Sequence, residues 1–211
     1  MKMQSSRQIA ALVLLLVFSL SADGSMQKQQ QRVLLNPDQT VDLTPTKMST
    51  AKENCENWAL AAGLETILQQ QNVSLDQSFW VRRLNGGELC IAEMPSMDAL
   101  AQVVNKEFVL DDGRHVRLEL HFVPGAPVDI GALIAGLKQQ RLSLFLWHGH
   151  PYYMSGVTYD ERIGRDGSRI FIVKELRLAD TYAKQPNITF QRDRDNADEI
   201  AGILTVSVIP Q

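Results

Sequence analysis

The feature that most constrains this chain is a change of hydrophobic period near residue 105. Before it, apolar residues recur at helical spacing; after it, they alternate with polar ones, and a stripe of one period cannot serve as the other. Over 55–71, Trp58, Leu60, Ala61, Leu64, Ile67 and Leu68 follow Asn54, a good N-cap. The spacing predicts a long helix with Cys55 in its first turn. Ser74 followed by Gln77 reads as a capping box opening a second helix through Phe79, Trp80 and Leu84, closed by Gly86 and Gly87. Ser96, after Pro95, opens a third that ends near Asn105. Then Val116, Leu118, Leu120 and Phe122 alternate with Arg117, Glu119 and His121, and Asp111-Asp112-Gly113 separates this run from 108–110, which predicts a hairpin. Asp129 caps one more helix through Leu133, Ile134 and Leu137, and 142–147, 152–158, 169–176 and 203–209 supply four further strands. Helices first and strands after predict an α+β fold with an antiparallel sheet rather than a doubly wound parallel one.

Size and charge narrow the function classes. The 211 residues, 45% hydrophobic and 21% charged, suit one compact domain. A net charge of −3 without any Lys/Arg block excludes a general nucleic-acid binder. At the amino terminus, Lys2 and Arg7 precede the apolar run 9–20, and Ser19, Ser21, Ala22 and Gly24 supply small residues around its end, the layout of a secretory signal peptide over 1–22. The run is too short for a membrane span, which takes about 20 apolar residues. Cleavage there removes Lys2 and Arg7 and no acid, moving the net charge from −3 to −5. The expected product is exported to a periplasm or the extracellular space, with no membrane association. Residues 23–52 read as a polar linker and extended leading segment, with ordered structure starting near Val33, and 53–211 as the main domain.

Two cysteines cannot build a four-thiolate metal site. They make one disulfide, which an exported protein retains, or one nucleophile and a spare. Cys55 suits the second reading, because a helix N-terminus favours a thiolate. Its base would be His150, after Gly149 at the mouth of a strand, with His148 a close rival. Asp180, just past another strand, would orient the imidazole. His148-Gly149-His150 also spaces two zinc ligands, but no third ligand follows at metal-site spacing.

The order Asn54-Cys55, Trp58-Ala59-Leu60-Ala61-Ala62 on a helix, then Gly149-His150 opening a strand, then Ala179-Asp180, resembles the papain-like cysteine peptidases. The closer likeness is to their compact bacterial branch, which includes peptidases that process double-glycine leaders. The resemblance spans roughly 52–182. It implies a helical part carrying the cysteine and a sheet carrying the histidine and acid, with Cys55 as nucleophile, His150 as general base and Asp180 as orienting acid. It implies amide hydrolysis or thiol acyl transfer on a peptide or protein substrate, with no cofactor and no metal.

Three departures qualify the likeness. Ser49 stands where the family carries an oxyanion-binding Gln. If Trp58-Ala59 is the pair that follows the family's nucleophile, Asn57 holds the nucleophile position and Cys55 is its neighbour. Cys90, after Asn85-Gly86-Gly87, matches a cysteine that papain relatives bridge to one beside the active-site helix. That alignment implies a Cys55–Cys90 disulfide and an inactive peptide-binding domain.

Overall fold

The computed structural model describes residues 33–44, 55, 57–90, 94–127, 130–180 and 188–211. The signal peptide, Ser49, the Asn54 cap and the Asp129 cap lie outside them. Four helices lie against one eight-stranded sheet whose pairings are all antiparallel among the described residues, which bears out the α+β class.

The leading segment is strand β1 (Val33–Asp42). The helical part follows, with α1 (Ala59–Gln69), α2 (Gln77–Asn85) and α3 (Met97–Val104). The sheet comprises β2 (Glu107–Val109), β3 (His115–Pro124), β4 (Leu144–Trp147), β5 (His150–Ile163), β6 (Arg169–Asp180), β7 (Ile188–Gln191) and β8 (Ile200–Pro210), with α4 (Gly131–Lys138) inserted before β4. Strand order is β2-β3-β8-β4-β5-β6-β7. β6 follows one edge of β5 over nearly its whole length, and the other edge is divided: β4 pairs with residues 150–153 and β1 with residues 156–163.

Two helix starts differ from the expectation. α1 begins at Ala59 with Trp58 as its N-cap, so Cys55 sits in a bend ahead of the helix and not in its first turn. Trp58 N–H bonds back to Cys55 O at 3.0 Å, a tight turn that delays the helix. α2 is capped by Asp76 rather than Ser74: its carboxylate accepts from Phe79 N at 2.7 Å, and Gln77 is the first helical residue. The expected ends hold elsewhere, with Gly86 left-handed after α2 and the Ser96 hydroxyl accepting from Ala99 N ahead of α3.

α1 is buried almost all round, from Ala59 through Leu68. It presses so closely on the sheet that a side chain at Gly63 would meet Leu144 at 2.7 Å. A polar knot fixes its register: the buried Tyr153 hydroxyl of β5 lies 3.0 Å from Ala62 O and 2.8 Å from Thr66 Oγ1, and Thr66 itself donates to Ala62 O. On the other flank, Trp80 packs edge-on against Phe79 and Phe108, and the Arg83 guanidinium covers both phenylalanines. The start of α1 is thereby held over the β4–β5 end of the sheet.

Candidate functional site

β4 and β5 are joined by the two-residue loop His148-Gly149, closed by the Trp147↔His150 pair. Both loop residues have positive φ, 53° and 72°, as a type I′ turn requires. The turn makes His150 the first residue of β5. Alternation puts His150 and Tyr152 on one face, and the β5–β6 register sets Asp180 directly opposite Tyr152 on that face. His150 Nε2 lies 3.0 Å from Asp180 Oδ1, and the Asp180 side chain is only 3% exposed against 32% for His150. The sequence order thus brings His150 and Asp180 together through one turn and one strand register.

Tyr152 completes the group, its ring centroid 4.7 Å from that of His150. Burial first, and then the charge of Asp180, hold its phenol above the ordinary value. Nothing in the sequence singled Tyr152 out except its place two residues after His150 on the same strand.

The helical side of the site is fastened by a disulfide. Cys55 and Cys90 are bonded, with Cα atoms 5.6 Å apart, so both sulfurs are engaged. Two further bonds hold the same loop against the start of α1. Asn57 Nδ2 donates to Cys90 O at 3.1 Å, and Trp58 Nε1 donates to Leu89 O at 3.0 Å.

Between the two halves lies a cleft of about 120 Å³. Asn57 through Ala61 form one wall, the end of α2 with Met94 and Pro95 another, and Gly149, His150 and Pro151 the third. Asn57 therefore shares the cleft with His150, while neither cysteine lines it. Asn85, Met94 and Pro95 were not expected there, because only the packing of α2 and its following loop on α1 brings them in. His148 is the weaker partner of the histidine pair. It is half exposed on the turn, stacks on Trp147, and meets Glu199 at 3.4 Å, outside the cleft. No group of three metal-ligating side chains occurs among the described residues.

No protein-family model, curated protein or solved structure matches the chain. What the site can do chemically therefore rests on its own geometry.

Proposed function

We propose that the chain is an exported, non-catalytic peptide-binding domain on a papain-like scaffold. The observation that carries this reading is the Cys55–Cys90 disulfide, which leaves the sulfur of Cys55 without a thiolate to offer. Asn57, which lines the same cleft as His150, supports it further, since a carboxamide is no nucleophile toward an amide. A disulfide is also what an oxidising compartment preserves, in keeping with export. The test is the intact mass of the denatured protein after thiol alkylation without reductant. A monomer with no adducts is the expected result, and two adducts would overturn the reading.

One observation favours a second reading, a cysteine peptidase acting through Cys55, His150 and Asp180. The imidazole is already oriented by a buried carboxylate, the arrangement a general base needs. Peptide hydrolysis that appears with reductant and vanishes in Cys55→Ala would favour it over the binding domain.

A further inference from the structure

The outer edge of β6 is only partly covered. β7 pairs with residues 175–178, Arg192 N adds a bond to Lys174 O at 3.1 Å, and the chain then turns, with Arg194 N and Asp195 N both bonding back to Gln191 O. Residues 169–173 therefore have no strand on that side among the described residues. Their register with β5 is unbroken from Ile163↔Arg169 to Tyr159↔Val173. The direction of their main-chain groups follows from the β5–β6 turn. Gly164 N donates to Ser168 O at 2.8 Å, so 164 and 168 form a hydrogen-bonded pair, and in an antiparallel ladder such pairs alternate. Ile170 and Ile172 thus bond to β5, while Arg169, Phe171 and Val173 turn their N–H and C=O groups outward. The other edges are blunted: β1 carries Pro37 and a left-handed Asp38, and β2 and β7 have only three and four residues. The open stretch of β6 has neither device, and Ile170, Phe171, Ile172 and Val173 are each half-buried, with apolar surface still facing solvent.

We infer that two copies of this chain pair through residues 169–173 of β6, joining their sheets into one antiparallel sheet across a two-fold axis. The edge is complementary to itself. With the axis at Phe171, Phe171 meets its own counterpart and Arg169 meets Val173, so every pair of outward residues exchanges both of its N–H···O bonds. Ile170 faces Ile172 between them, and no two like charges stand opposite each other. The second copy's β6 lies end to end with β7 along this edge, the arrangement that β4 and β1 already make along β5. Past the ladder, the exposed Arg165 and Asp166 of the β5–β6 turn approach the exposed Arg192 and Asp193 that follow the second copy's β7, so each side offers both signs of charge to the other. A contact this short belongs with weak, reversible associations. It does not involve the cleft, so it stands or falls apart from the peptide-binding reading.

The test is sedimentation equilibrium of the chain purified after export, over a series of concentrations. The weight-average mass should rise toward twice the chain mass and level there. A mass that stays at one chain, or that climbs past two, overturns the inference. Val173→Pro removes an outward N–H and no bond to β5, and should raise the dissociation constant about tenfold. Ile170→Lys combined with Ile172→Lys sets lysines opposite each other and should abolish pairing, whereas Ile170→Glu combined with Ile172→Lys should restore it. Each variant is first verified as folded by near-ultraviolet circular dichroism. A dimer that survives the paired lysines, or that the Glu–Lys combination fails to restore, overturns the assignment to β6.

Discussion

Asn57 and His150 line one cleft, and the difference between a carboxamide and a thiol at the first of them decides what chemistry is open to it. Asn57→Cys should introduce a thiol that iodoacetamide labels at neutral pH faster than a free cysteine, because an oriented imidazole stands across the cleft. His150→Ala in that background should abolish the acceleration, and labelling of Asn57→Cys at the ordinary rate would mean the two groups do not face each other. His150 and Asp180 were legible in the sequence because each sits at a strand end, and strand ends paired in an antiparallel sheet meet. The role of Cys55 was legible only as a pair of alternatives. What divides them is whether Cys90 comes within bonding distance, and that depends on how the loop after α2 folds back on α1.

At the scale of elements, local chemistry fixes helix ends and turns. Asp76→Ala removes the carboxylate that satisfies Phe79 N and should destabilise the protein by about 1 kcal/mol, read as a lower midpoint in urea at constant slope. Tyr153→Phe should also cost about 1 kcal/mol, since it deletes the hydroxyl from the buried knot of Ala62 and Thr66 while leaving the Thr66 bond to Ala62 in place. The helix periods and the β2–β3 hairpin were readable because burial and period coincide in them. The start of α1 was not, since the turn at Cys55 is held by a disulfide that spacing does not reveal. β1 is legible in the sequence only as an extended segment for a related reason. Its residues 36–40 are all exposed, Pro37 falls within a shift of register, and Asp38 has a φ of 50°, so main-chain pairing with β5 rather than any apolar alternation makes it a strand.

At the scale of the whole molecule, distant segments are joined by a few specific ties. Cys55→Ala with Cys90→Ala removes a link across a sequence separation of 35 and should cost about 3–4 kcal/mol by the chain-entropy account, measured as a fall in unfolding free energy. β1 is fastened by charge: Lys174 Nζ sits 2.6 Å from Asp38 and 2.9 Å from Asp160, and the Asp38 N–H donates to Asp160. The Lys174 bond, followed by the Asp38 main chain, holds the Asp160 carboxyl below its usual range. A carboxyl depressed by folding gives stability that is present above its unfolded value, about 3.9, and is lost as the pH falls through the folded value. Urea midpoints of the parent should therefore decline below about pH 4. The decline should be shallower in Lys174→Met, and equal slopes would show that the tie contributes nothing on the acid side.

The place of β8 has a consequence for how such a chain is made. β8 runs between β3 and β4, so without it the described strands fall into two partial sheets with facing, unfilled edges. As the polypeptide leaves the ribosome, β1 waits more than 110 residues for β5, and β3 and β4 wait for β8, so no amino-terminal portion completes the sheet by itself. A chain stalled or clipped before residue 200 offers two open ladders to any neighbour, which makes premature termination, more than a substitution in the cleft, the event most prone to end in aggregation.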